Sequence, residues 1–355
     1  LQMPELRQEP ITNNWVIIAT ERSKRPSDFP VQQEKRKGGK CPFCEGNEGK
    51  TPPEIVSYRE GGTKADTPGW WVRVVPNLFP ALSKTGNGVG NGGLDGESVD
   101  LFVTKPGIGD HEVLVESPDH NSSLDTHTPK QAIEIFYMWR DRYQALLNEK
   151  SIKYIQIFKN EGAIAGASLE HPHSQLIATP LIPPVVSEEL NGAQEYYQQQ
   201  GKCIYCEMIK HEKEDSRRIV ADNQDFLAFC PFASRFPFET WIIPKEHQAG
   251  FDLINDSQLE NMGAIVQEVT RRINGSLNGP PYNMVLHSAP VGNSDAAQYH
   301  WHLEILPRLT IVAGFEWGTG IIINPTPPES AAIYLRETNT DNSQEKERTL
   351  WQQVH

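Results

Sequence analysis

Two short patterns recur in the same order along this 355-residue chain, and the recurrence limits the folds open to it more than any other feature. Cys41-Pro-Phe-Cys44 is followed by a strand-like run leading to His120, an amphipathic stretch, the apolar run Tyr154–Phe158 and then His171-Pro172-His173. Cys203-Ile-Tyr-Cys206 is followed by Phe226–Phe229 and Thr240–His247, a second amphipathic stretch, Tyr282–His287 and His300-Trp301-His302. His120 and His171 are 51 positions apart, His247 and His300 53. Internal duplication accounts for this. It predicts two domains of the α+β class, residues 1–180 and 181–355, each an antiparallel sheet with flanking helices.

Each copy collects two cysteines and two histidines: Cys41, Cys44, His120 and His171 in the first, Cys203, Cys206, His247 and His300 in the second. In a reducing compartment Cys-x-x-Cys pairs point to metal or redox chemistry rather than disulfides. Cys₂His₂ sets suit tetrahedral, closed zinc coordination, so two zinc sites are expected. His287 and His302 are alternative ligands for the second. Cys230 lies in an apolar run and reads as a small buried hydrophobe.

In the stretch His171-Pro172-His173-Ser174-Gln175 three polar side chains alternate, and on a strand they share a face. Pro172 cannot donate to a ladder, so the strand should be an edge or be locally open there. By spacing alone the two histidines also fit a metal pair or a polar outer face. With His171 committed to metal, His173 is left as a free imidazole, a competent nucleophile near neutral pH. Gln175 and Ser168 can donate hydrogen bonds to phosphoryl oxygens. A third histidine in place of Gln175 could shuttle protons; an amide suits a covalent intermediate that waits for a second acceptor, which favours transfer over hydrolysis.

The formal net charge of −13 argues against nucleic-acid and membrane surfaces as partners. An anionic substrate then needs a local basic cluster, and Glu21–Pro26 offers Arg22 and Arg25. On its own that cluster is a solvated loop. No apolar run reaches 18 residues and no signal peptide is visible at Leu1–Glu5, so a cytoplasmic location is expected.

Local signals place the remaining elements. Trp15–Ile18 reads as a strand after a turn at Thr12–Asn14. Thr128 with Pro129 opens a helix to about Asn148. Ser257 should cap a helix over about 258–273. Residues 180–200 read as a linker with a polar, helix-compatible stretch, and 328–336 as a closing helix. Gly88, Gly90 and Gly93 satisfy G-x-G-x-x-G, but no helix follows, so a mobile loop is expected. Gly314, Gly318 and Gly320 suggest a bulged hairpin, or a segment that brings Glu316 to a polyol ligand.

These residues resemble the galactose-1-phosphate uridylyltransferase family, within the histidine-triad superfamily, whose signature His-Pro-His-x-Gln stands intact at residues 171–175. The resemblance implies tandem histidine-triad-like domains, a homodimer that completes each site across its interface, and ping-pong transfer. His173 would attack the α-phosphorus of a nucleotide sugar, and a sugar 1-phosphate or phosphate would then take the nucleotidyl group. It places Gln175 and Ser168 on the phosphates with Arg22, Arg25 and Asn160 nearby, Asn77 and Phe79 at the nucleotide, and Glu316 at the hexose. UDP-glucose–hexose-1-phosphate uridylyltransferase is the first expectation. The branch carrying cysteines such as Cys203 and Cys206 also contains plant ADP-glucose phosphorylases, which use adenine and phosphate. A histidine-triad nucleotide hydrolase or binding protein and a zinc-knuckle interaction protein are the readings from other classes.

Overall fold

The computed structural model describes residues 4–19, 41–84, 98–99 and 101–338. The basic cluster with Arg22 and Arg25 and the Gly88–Gly93 stretch lie outside the described residues. In chain order the first part contains β1 (Glu5–Gln8), β2 (Trp15–Ile18), β3 (Val56–Arg59), β4 (Trp70–Pro76), β5 (Ser98–Val99), β6 (Phe102–Val103), β7 (Asp110–Val115), α1 (Pro129–Leu146), β8 (Tyr154–Glu161) and β9 (His173–Thr179). The second contains α2 (Pro184–Gln200), α3 (Ile204–Asp215), β10 (Ile219–Asp222), β11 (Phe226–Phe229), β12 (Thr240–Pro244), α4 (Asp256–Leu277), β13 (Tyr282–His287), β14 (His302–Pro307), α5 (Gly314–Thr319), β15 (Ile322–Asn324) and α6 (Pro328–Glu337).

The repeat seen in the sequence is a repeat of strand order. The first copy runs β3-β4-β7-β9-β8 and the second β10-β11-β12-β14-β13, and both are antiparallel throughout. The copies do not form separate sheets. β8 pairs with its counterpart β13, Phe158 opposite Val285 and Glu161 opposite Tyr282, and fuses them into one ten-stranded sheet.

One face of this sheet carries the larger core. Ile155, Ile157, Leu176 and Ala178 of the first copy and Met284, Leu286, Leu303 and Ile305 of the second pack under α1 and α4. Each helix begins where the chain supplies a cap. Thr128 Oγ1 accepts from the Gln131 N–H at 3.2 Å with Pro129 in the first turn. For α4 the cap is Asn255 rather than Ser257: its side chain accepts from Gln258 N–H while Gln258 reaches back to Asn255 N–H, a reciprocal capping box. α1 and α4 lie against each other at Gly263, where a Cβ would stand 2.7 Å from Ile133 Cγ1. The other face is covered by α2 and α3 over the second copy and by the Cys41–Cys44 turn over the first.

The helix-compatible stretch after residue 180 is a helix, and one other segment differs from expectation. Residues 184–200, between the two prolines and Gly201, form α2: Pro184 supplies a preset first turn, and Gly201 at φ +67° closes the helix. The glycine-rich segment at 314–320 is the short helix α5 and not a bulged hairpin. Glu316 accepts from the Ala313 N–H at 3.1 Å, and Gly320 at φ +74° ends the turn.

Candidate active site

β9 is an interior strand, flanked by β7 and β8, so of the two arrangements Pro172 allows, an edge or a local opening, it takes the second: the ladder begins only at His173. The proline is accommodated because it precedes the first ladder residue. It needs no donor there, and its carbonyl accepts from Glu116 N–H at 3.1 Å. From His173 onward the strand alternates. Ser174, Leu176 and Ala178 point toward the helices, where Trp139 Nε1–H donates to Ser174 Oγ at 2.9 Å. His173 and Gln175 occupy the opposite face.

His173 is 5% exposed. Its Nδ1 lies 2.8 Å from the carbonyl oxygen of His171, so Nδ1–H donates and the Nε2 lone pair is the free one. Burial holds the imidazole below its ordinary pKa, with the Lys159 charge acting in the same direction, so the ring is neutral at pH 7. The β8–β9 register, with Lys159 opposite Ser174, sets Asn160 beside His173 on the shared face. Asn160 Oδ1 accepts from Asn283 Nδ2 at 2.8 Å, a contact across the seam between the copies.

His111 lies in the strand-like run that leads to His120. It stands on β7, and its Nε2 is 2.9 Å from Gln175 Oε1 while its Nδ1 accepts from Ala81 N–H at 3.0 Å. Asn77 joins the same group, its Nδ2 3.5 Å from Gln175 Oε1. The alternation of β7 was the signal: it puts His111, Val113 and Val115 on the His173 face. Phe79 is 85% exposed beside this cluster and donates its N–H to Asn77 Oδ1 at 2.9 Å. Ser168 is exposed, and among the described residues no hydrogen bond ties it to the cluster. Glu316 caps α5 and likewise makes no contact with His173 or Gln175 among the described residues.

His171 turns to the cysteines instead. The ligand atoms of Cys41, Cys44, His120 and His171 lie within 4.8 Å of one another. Cys44 Sγ is 3.4 Å from His120 Nδ1 and 3.7 Å from His171 Nδ1, and the two Nδ1 atoms are 3.3 Å apart. Tetrahedral zinc with ordinary Zn–S and Zn–N bonds needs S···N near ~3.5 Å and N···N near ~3.3 Å. His171 Nε2 lies 2.7 Å from Ser117 O, which fixes Nδ1 as the ligating atom. Cys203, Cys206, His247 and His300 repeat this arrangement. Cys206 Sγ is 3.4 Å from His247 Nδ1 and 3.7 Å from His300 Nδ1, and His300 Nε2 is 2.9 Å from Pro244 O. Both sets can hold a metal ion, and both fit zinc. His287 and His302 are not part of the second set but meet Glu189 in a separate buried group.

The counterpart of His173 in the second copy is closed off. His302 is fully buried, stacked between Trp241 (centroids 4.6 Å apart) and His287 (4.8 Å). Burial and the adjacent His287 charge lower its pKa to about 4. His287 Nδ1 is 2.8 Å from Glu189 Oε1, and against the effect of its burial Glu189 and Glu304 raise its pKa to about 10. Glu304 stands where the first copy has Gln175. A cavity of about 140 Å³ above it is lined by Glu9, Glu188, Glu189, Glu239 and Glu304 against Arg235 alone. That charge balance disfavours a diphosphate, which leaves the first copy as the candidate site.

Comparison with known proteins agrees with this geometry. The model of the galactose-1-phosphate uridyl transferase N-terminal domain matches residues 1–183, and that of the C-terminal domain matches residues 189–331. An ADP-glucose phosphorylase from Arabidopsis thaliana is 38% identical over 95% of this chain and 94% of its own length. A galactose-1-phosphate uridylyltransferase from Thermotoga maritima is 32% identical over 96% of this chain and 100% of its own. The crystal structure of an Arabidopsis thaliana ADP-glucose phosphorylase with bound ADP-glucose superposes with a TM-score of 0.78 at 36% identity, covering 95% of this chain and 99% of that one. Among the described residues no helix is long and apolar enough to cross a membrane. By its sequence across both halves and by its fold, the chain belongs to the galactose-1-phosphate uridyl transferase family and is an enzyme of the nucleotidyltransferase type.

Proposed function

We propose that the protein moves a nucleoside monophosphate from a nucleotide sugar to a second phosphate acceptor through a covalent intermediate on His173. The observation that carries this is the His173 tautomer: Nδ1 is spent on the His171 carbonyl at 2.8 Å, and Nε2 is left to attack. In the first step the Nε2–phosphorus bond forms and the bond from the α-phosphorus to the bridging oxygen breaks, releasing the sugar 1-phosphate. The ring then carries positive charge, which the His171 carbonyl oxygen steadies. In the second step a phosphate oxygen of the acceptor attacks, and the nitrogen–phosphorus bond breaks. Gln175 and Ser168 donate to the non-bridging oxygens, Asn160, Arg22 and Arg25 hold the phosphates, Asn77 and Phe79 take the nucleotide, and Glu316 takes the sugar.

Zinc at Cys41, Cys44, His120 and His171 would lock the backbone carbonyl that orients His173, and the second set would brace α3 against β12. The division at residue 180 into two histidine-triad-like domains and a homodimeric state belong to the same proposal. Phe79 and Trp317, 85% and 78% exposed, support a partner surface.

Two donors are in view. UDP-glucose with a hexose 1-phosphate acceptor follows the family's name. ADP-glucose with phosphate is favoured by the greater identity to the Arabidopsis thaliana relative, 38% against 32%. Incubation with radiolabelled UDP-glucose and ADP-glucose in separate reactions decides between them. The productive donor leaves acid-labile label on the protein, His173→Ala takes none, and a chase with galactose 1-phosphate or phosphate identifies the acceptor. If neither donor labels the wild type, the proposal is wrong.

A further inference from the structure

We propose that His111 is a positioning residue for this reaction: as its Nε2–H tautomer it fixes the Gln175 amide with the oxygen turned inward and the nitrogen left for the phosphoryl group. The inference rests on nucleotidyl transfer through His173 and adds to it a residue outside the His171–Gln175 signature.

The argument follows from proton counting. Ala81 N–H can only donate, and it lies 3.0 Å from His111 Nδ1, so Nδ1 holds a lone pair. A neutral imidazole has one N–H, which must therefore sit on Nε2. The atom 2.9 Å away must accept that proton, which makes it the oxygen of Gln175 and not its nitrogen. Asn77 reinforces the choice. Its Oδ1 accepts from Phe79 N–H at 2.9 Å, so Nδ2 donates toward Gln175 Oε1 at 3.5 Å; its 3.1 Å approach to His111 Nε2 is then a contact between two donors that share this oxygen, not a hydrogen bond. A flipped Gln175 amide would set its N–H group against both donors. Gln175 Nε2 itself makes no hydrogen bond to any described residue, so the amide's free end is a donor. Without this constraint the carbonyl end could face the phosphoryl oxygens and repel them as charge develops. His111 is 8% exposed and, among the described residues, reaches the candidate site through Gln175 and Asn77.

A double-mutant cycle on the full-length protein tests this, with the labelled nucleotide sugar that modifies the wild type and single-turnover labelling of His173 as the rate. His111→Leu should slow labelling by about 10- to 100-fold while the dissociation constant for the nucleotide sugar moves by less than about threefold. His111→Gln keeps a donor at the reach of Nε2 and should recover most of the rate; His111→Asn, too short to reach Gln175, should not. In a Gln175→Ala background His111→Leu should add less than about a twofold loss. Equal slowing in both backgrounds, or His111→Asn as fast as His111→Gln, overturns the assignment. The second comparison holds even if His111→Leu does not fold. Wild type that takes label while the cycle is additive sinks only the role of His111. Wild type that takes no label sinks the transfer reading and this inference together.

Discussion

Beneath His173, on the helix side of the sheet, Lys159 and Glu116 form an ion pair that should be very sensitive to removal of one partner. Lys159 Nζ is 2.7 Å from Glu116 Oε2 and 3.3 Å from Glu161 Oε2, and Lys159 and Glu116 are each 1% exposed. The pair runs from β8 to the residue after β7, past the start of β9, so it ties together the three strands that hold His173. Lys159→Met preserves most of the volume and removes the charge. It leaves the Glu116 carboxylate buried without a cation, for which the expected cost is about 3–5 kcal/mol. At ~4 kcal/mol the ratio of folded to unfolded protein falls about a thousandfold. Adding Glu116→Gln removes the orphaned charge, and the double variant should regain more than half of the loss. Glu161, at 19% side-chain exposure, can turn toward water. Urea unfolding of the wild type, both single variants and the double variant measures these terms. A cost below about 1 kcal/mol for Lys159→Met, or a double variant no more stable than that single, would refute the claim that this is a desolvated, mutually dependent pair.

Other perturbations have equally definite outcomes. Because burial holds His173 below the ordinary histidine range, its neutral form persists as pH falls. The labelling rate should stay flat down through about pH 6.5 and decline only below it; an acid inflection above that value contradicts the buried, neutral ring. Cys44→Ser and Cys206→Ser should each lose one equivalent of bound metal by elemental analysis, and only the first should also impair labelling of His173. Retention of both equivalents by either variant argues against two independent sites. Asn255→Ala should cost about 1 kcal/mol by loss of the capping box on α4, whereas Ser257→Ala should be near neutral; the reverse order in thermal denaturation would restore Ser257 as the cap.

Much of this was legible in the chain because it depends on short-range pattern. The Cys-x-x-Cys pairs, the equal spacing of their histidines and the alternation from His171 to Gln175 are local, and the structure brings the expected residues together around each metal set. Thr128–Pro129 marks the start of α1 for the same reason. What escaped depends on contacts between distant segments. His111 reaches Gln175 only because β7 and β9 are neighbours in a particular register, and the alternation around His111 gives its face but not that partner. Pro172 left two arrangements open for β9, an edge or a local opening, and only the pairing with β7 and β8 decides for the second. Asn255 prevailed over Ser257 as a cap because Gln258 could answer it, a reciprocal contact that a single-residue preference does not see.

The β8–β13 seam has a consequence for how such an enzyme can change. A duplicated unit is ordinarily dispensable, and once one copy holds the chemistry the other is free to decay. Here the second copy supplies the hydrogen-bonding partner for the strand next to the one that carries His173, Phe158 to Glu161 against Tyr282 to Val285. Deleting the second copy would bare the unpaired backbone groups of β8 beside His173 and invite pairing with other chains. The second copy is therefore held by the first through this seam: it can carry glutamate where the first has glutamine and bury its histidine, but it cannot leave.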